Sequence, residues 1–366
     1  MKIRLYDMKF GESIFIQDDC IPSSKGILVD CGSLEKNIKF NSTYDTIYND
    51  IQSLNPDVLI THFHQDHISG LIYFAKNKKP VFNNLYIPDI FNLGNSLKII
   101  TLVLIDFLLQ SYQIFPNNPY NLYDLALGLC STSKNVKFLK RGVIFRDNYI
   151  ALTPFDDDLD RCADSLYDDL GPISQDWNII SRNFLKAIMN KANGEIFYQN
   201  LNIPYNLSIS GVKEDIERLS KNESSRKSLN SFGHKINIVF QNNKNSQNIK
   251  NLPVENILFT GDAEINQLNK LKKLGDFYDR YEVYKIPHHG TKAHLFKDID
   301  SNKAIISHAQ YCNSSWNICS DYHSKNYCFY CTNCNGCNER LNHQKISNYC
   351  KVNGNYLVFP NMNIII

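Results

Sequence analysis

The feature that most constrains this chain is the run Thr61-His62-Phe63-His64-Gln65-Asp66-His67, which follows the apolar residues Val58-Leu59-Ile60. It packs three imidazoles and a carboxylate into six positions of a 366-residue chain that has only 10 His. Neutral imidazole nitrogens and ionised carboxylates crowded in this way are the ordinary ligands of a divalent cation. The apolar run reads as a buried strand, and Ile68-Ser69-Gly70-Leu71-Ile72-Tyr73-Phe74 as the first turns of a helix. The cluster is therefore placed at a strand end, with a helix N-terminus facing the metals. A solvated polar loop is the plain alternative, and the spacing argues against it.

Four other segments set a ligand-type side chain after an apolar run: Ile27-Leu28-Val29-Asp30, Phe232-Gly233-His234, Ile257-Leu258-Phe259-Thr260-Gly261-Asp262 and Val283-Tyr284-Lys285-Ile286-Pro287-His288-His289-Gly290. Strand ends of stacked sheets converge on one rim, so these groups can meet the first cluster although they lie far away in sequence. His234 has a competing reading as a structural histidine capping a strand.

The order of these motifs resembles that of the metallo-β-lactamase fold hydrolases, over roughly residues 1–78 and 233–310. The nearest likeness is to the hydrolase domain of DNA-uptake competence proteins and related phosphodiesterases. Asp7-Met8-Lys9-Phe10-Gly11-Glu12-Ser13 looks like a degraded copy of their opening turn, and Pro287-His288-His289-Gly290 matches their late motif. The resemblance implies an αββα four-layer sandwich of two mixed β-sheets flanked by helices. It also implies two divalent ions: His62, His64 and His234 on one, Asp66, His67 and His289 on the other, and Asp262 bridging both. Asp30 would orient a ligand imidazole through its ring N–H. His289 is preferred to His288 as the last ligand, which leaves His288 on the substrate side. Two such ions bring the pKa of a shared water towards neutrality and clamp the oxygens of the attacked centre. Asp66, His288 and Asp30 are accordingly the expected catalytic residues, and leaving-group protonation falls to His288, Lys292 or a water. Zn²⁺ suits this shell, with Mn²⁺ or Fe as alternatives.

The rest of the chain alternates strands and helices up to Leu54 and again after Ile236. Residues 79–232 change to long helical patterns and are read as a mainly helical insertion within a single domain spanning 1–366, capping or lining the substrate cleft. The greasy stretch from Leu97 to Leu109 is too short to span a bilayer and carries Asp106, so it is expected to be a buried helix rather than a membrane insertion. The N-terminus alternates like a strand and lacks a signal peptide's apolar stretch, and the 11 Cys then point to reduced thiols or metal ligands in the cytoplasm.

Within a Cys-rich segment, 311–350, the spacing Cys328-x2-Cys331-x2-Cys334-x2-Cys337 suits a structural Zn²⁺, with His323 or Cys319 as alternative ligands. An iron–sulfur cluster and unliganded thiols are the competing readings. His308 is read as structural.

A formal net charge of +2 gives no global field and excludes the strongly basic footprint of a dedicated DNA binder, while leaving room for a local basic groove. Function is thus expected to be a metal-dependent phosphodiesterase or nuclease, acting on a phosphodiester, nucleotide or nucleic acid. A lactonase, thioesterase or other acyl hydrolase on the same metals is the second reading. A catalytically silent binding or sensor module is the third.

Overall fold

The computed structural model describes residues 1–8, 11–17, 25–34, 39–79, 81–117, 119–146, 148–195, 210–243, 256–307, 321–322, 327–331 and 362–365. They form an αββα sandwich. One sheet runs in the order β14(Met362–Ile365), β1(Lys2–Leu5), β2(Ile14–Gln17), β3(Ile27–Val29), β4(Asp57–Leu59), β5(Phe82–Pro88), β6(Ser133–Leu139). The other runs β13(Cys328–Cys331), β12(Ser301–Ile306), β11(Tyr281–Lys285), β10(Ile257–Phe259), β9(Phe240–Asn242), β8(Tyr149–Ala151), β7(Ile144–Phe145).

The period-2 alternation of strand side chains explains the layers. Ile27, Val29 and Leu59 point between the sheets and meet Phe240, Ile257, Phe259 and Val283 from the opposite sheet. Their neighbours Leu28 and Val58 point outward under the helices of the first sheet, and Leu258 and Tyr284 under those of the second. Strands covered on both faces read as continuous apolar runs, as Ile27–Val29 does, and all three of its residues are buried.

Both sheets repeat one pairing pattern. From β14 to β6, three antiparallel pairs are followed by three parallel ones, and the same holds from β7 to β13. In each half the parallel strands β3 and β4, or β10 and β11, end at the same rim. That rim carries the candidate site.

Residues 79–232 contribute more than helices. They supply β5 and β6 to one sheet and β7 and β8 to the other, besides α3(Ser96–Ile114), α4(Leu122–Ser131), α5(Asp156–Asp169), α6(Asp176–Ala192), α7(Ser210–Ser220) and most of α8(Glu223–Ile236). Phe82–Pro88 reads FNNLYIP, without the alternation that marks a half-exposed strand, because it pairs on both edges and is almost wholly buried. α3 is, among the described residues, the one helix long and apolar enough to cross a membrane, and 67% of its apolar window is buried inside the protein.

The remaining helices are α1(Lys39–Ile51), α2(Gln65–Asn77) and α9(Ile265–Lys273). The Lys244–Lys250 stretch lies outside the described residues, as do Cys312, Cys319, His308, His323, Cys334, Cys337, His343 and Cys350. Cys328 and Cys331 are the first and last residues of β13.

Candidate metal centre

The His62 cluster begins where β4 stops. Asp30, at the end of β3 in a left-handed conformation (φ 56°), accepts the Thr61 N–H at Oδ1 (2.7 Å) and the Thr61 hydroxyl at Oδ2 (2.8 Å). The same Oδ2 lies 2.9 Å from His67 Nδ1. An acidic residue forced out of ordinary strand geometry thereby fixes both the turn and one imidazole.

Three imidazoles share one orientation. His67 donates Nδ1–H to Asp30, His62 Nδ1 lies 3.1 Å from Thr61 Oγ1, and His289 Nδ1 meets the Ser307 carbonyl at 2.5 Å. Since Thr61 Oγ1 gives its own proton to Asp30, its oxygen accepts from His62. Each ring then turns Nε2 inward, towards the Asp66 and Asp262 carboxylates in the case of His67 and towards Asp66 in that of His289. The Nε2 atoms of His62 and His67 are buried with no hydrogen-bond partner among the described residues, as is Asp262 Oδ1. Buried polar atoms without partners are rare in folded proteins, and here they point at one another, as donor atoms around an ion would.

His64 is turned the other way. Its Nε2 stands 2.9 Å from Asp106 Oδ2 on α3, an ion-pair distance without an aligned hydrogen bond, which leaves Nδ1 for the cluster. Asp106 is buried and also accepts from Gln110 Nε2 (3.0 Å), while Gln110 Oε1 accepts the Gln65 N–H (3.3 Å). Gly233 packs directly against the His64 ring, and a Cβ there would collide with Nε2.

His234 reaches the site from a helix rather than from a strand end. It lies in the last turn of α8, whose buried residues Leu229, Phe232, Gly233 and Ile236 fall at helical spacing, and β9 begins only at Phe240. Its ring centroid is 4.9 Å from that of His64 and 5.7 Å from that of His62.

Asp262 closes the centre. Asn237, just past α8, accepts the Asp262 N–H at Oδ1 (3.0 Å) and donates Nδ2–H to the Thr260 carbonyl (2.8 Å), pinning the turn after β10. Asp262 Oδ2 is 3.4 Å from His67 Nε2 and 3.6 Å from His288 Nε2. Asp66 Oδ2 is 3.7 Å from His67 Nε2 and 3.8 Å from His289 Nε2. Candidate ligand atoms fall within 4.8 Å of one another in the sets His62, His64, His234; His62, His67, Asp262; and Asp66, Asp262, His289. His234, Asp262 and His288 form a further set, as do Glu12, Asp30 and His67. All seven expected ligands therefore converge, with Asp262 common to three sets.

Beneath them lies an ion pair. Lys285 Nζ, fully buried in β11, is 2.5 Å from Glu12 Oε2, donates to the Gly261 carbonyl (2.8 Å) and stands 3.8 Å from Asp262 Oδ1. Burial opposes its charge, but Glu12 and Asp262 outweigh burial and hold its pKa above the usual lysine value. At the mouth, His288 Nδ1 lies 2.7 Å from His294 Nδ1, and His294 Nδ1 lies 3.2 Å from Thr291 Oγ1. Lys292 is exposed on the turn between them.

Burial and the neighbouring imidazoles push His62 and His234 well below the usual histidine value, and burial takes His288 down to about 3. These rings are neutral at pH 7, the form that ligates a cation. His67 moves the other way, because Asp30, Asp66 and Asp262 outweigh its burial. Asp262 stays ionised despite burial, held well below the usual carboxylate range by His288, His67 and Lys285.

The side chains whose part in the site sequence reasoning missed are Asp106, Gly233, Asn237, Lys285 and His294; Gly233 and Lys285 stand beside the quoted ligand-type residues, but only the fold shows what each of the five supports. The arrangement as a whole is a buried His/Asp cluster that could hold a metal ion. No family model and no curated protein matches the chain.

Proposed function

We propose that the chain is a metal-dependent hydrolase of metallo-β-lactamase type that cuts phosphodiesters. The observation that supports this reading is the inward-facing set of His62 Nε2, His67 Nε2 and Asp262 Oδ1, buried without a hydrogen bond among the described residues, with Asp262 shared between neighbouring candidate sets. The residues fit two divalent ions: His62, His64 and His234 on one, Asp66, His67 and His289 on the other, and Asp262 between them. Imidazole mixed with carboxylate suits Zn²⁺, Mn²⁺ or Fe. When bound, such ions supply a water acidified towards neutrality and an electrophilic clamp on the oxygens of the attacked group.

The chain's own groups do the rest. Asp30, Ser307 and Thr61 hold the rings at Nδ1, so the Nε2 atoms stay aimed at the centre. Lys285 offsets the negative charge of Glu12 and Asp262 below the reacting atoms. His288, neutral at pH 7, can take a proton at Nε2 and pass another from Nδ1 to His294, which is partly open to solvent. The pair thus carries a proton between the buried centre and the surface. The Pro287-His288-His289-Gly290 turn at the mouth favours phosphoryl over acyl chemistry, through its likeness to phosphodiesterases.

The test is a panel run on metal-loaded protein: bis(4-nitrophenyl) phosphate, a dinucleotide, a cyclic dinucleotide, single-stranded RNA and DNA, a lactone and a thioester. Diester turnover is expected, and Asp262→Asn or Asp66→Asn should lower kcat/KM at least about a thousandfold. Acyl substrates cut with every diester untouched would move the assignment to an acyl hydrolase. No turnover at all with Zn²⁺ or Mn²⁺ would leave a binding module.

A further inference from the structure

A pocket of about 620 Å³ lies between α5, α8 and α9, with Phe155, Arg161, Cys162, Lys235, Glu264 and Lys270 among its lining residues. Two of its lining residues are close chain neighbours of candidate ligands. Lys235 lines it while the preceding residue, His234, faces the ligand cluster, as expected for helix neighbours that point about 100° apart. Glu264 lines it two residues after Asp262, accepts a hydrogen bond from Ser231, and its charge is felt by His294 at the mouth of the centre.

Two of the pocket's cations are already matched. Arg161 and Lys270 both pair with Asp158, at 2.7 and 2.6 Å, and Lys270 also lies 4.0 Å over the Phe155 ring. Lys235 differs. Among the described residues its ammonium meets no carboxylate at ion-pair distance, and it donates only to the Cys162 thiol at 3.5 Å. A thiol is a weak acceptor, so a partly buried ammonium with no better partner favours an anion, and a charge-assisted bond there would be strong.

We infer that this pocket is a subsite for a second phosphate of the molecule whose phosphodiester is cut at the metal centre, with Lys235 as its counter-ion. The inference rests on the phosphodiesterase reading and narrows it to substrates that carry a further phosphate near the scissile one. The test compares wild-type chain with Lys235→Gln, both metal-loaded, on TpT and on 5′-phosphorylated pTpT. The variant should keep its metal content and its kinetics on TpT, while KM for pTpT rises about tenfold or more with kcat little changed. Equal effects on the two substrates, or none on either, would overturn the subsite.

If the wild-type chain cuts neither substrate, the phosphodiesterase reading fails by itself. The pocket is then judged by binding: calorimetry with pTpT and TpT, and the alkylation rate of Cys162 followed by peptide mass. Tighter binding of pTpT and protection of Cys162, both lost in Lys235→Gln, would keep the subsite. No preference for pTpT would sink it. Protection by inorganic phosphate equal to that by pTpT would overturn the assignment to a substrate group and make the occupant free phosphate.

Discussion

Asp106 and Gly233 each act on His64, one by charge and one by leaving room. Asp106→Asn keeps the shape and removes the charge that faces Nε2, so metal affinity should fall about 10- to 100-fold with the melting temperature of the metal-free protein nearly unchanged. Competition with a chromogenic chelator measures it. Gly233→Ala inserts a methyl into the His64 ring, an overpacking expected to cost about 1–3 kcal/mol and to lower bound metal per chain. Lys285→Met would leave Glu12 buried without its partner and should destabilise by about 3–5 kcal/mol in urea unfolding. Adding Glu12→Gln should recover most of that loss; a double variant no better than the single one would show that the pair is not coupled. The residues that converge on the cluster were legible because they follow apolar runs in short, His- and Asp-bearing motifs. Their supports were not, since Asp106 sits in an apolar helix and Lys285 in a buried strand, where sequence offers no sign that a charge has a partner.

The helix α8 illustrates how an element can be misread. The apolar residues from Phe232 to Phe240 fit a strand leading out of a Gly-His turn, whereas Leu229, Phe232, Gly233 and Ile236 lie on one helical face, and tertiary packing selects the helix. Its start is fixed by Asn222, whose side chain accepts the Ser225 N–H at 3.1 Å. Asn222→Ala should cost about 0.5–2 kcal/mol and loosen His234, seen as a faster metal off-rate. The short strands β3 and β4 were easier to read, because continuous apolar runs ending in polar clusters have few other solutions. β5 to β8 were not, since they lack alternation or are only two or three residues long.

For the molecule as a whole, the return of strand and helix patterns in the second half was legible in the sequence, while the four-layer sandwich was what the resemblance in motif order implied. Its pH response follows from the imidazoles. His62, His234, His288 and His294 have lowered values in the fold, chiefly through burial, so without metal their contribution is full above an unfolded value of about 6.5 and is lost as pH falls below it. His67 and His289 are raised, and their contribution is lost as pH rises through their folded values. With four lowered against two raised, chelator-treated protein should melt at a lower temperature at pH 5 than at pH 7. The opposite slope in calorimetry would show that His67 and His289 dominate.

The repeated pairing pattern has a mechanical consequence. His62, His64, Asp66 and His67 follow a strand of one sheet, whereas Asp262, His288 and His289 follow strands of the other. A cation gripped by both sets is a clasp across the two halves, so its binding free energy adds to their cohesion. Stripping the metal would therefore relax the seam between the sheets before it disturbs either sheet, and hydrogen exchange should report that order, with Thr61, Gly261 and the His288 turn opening first.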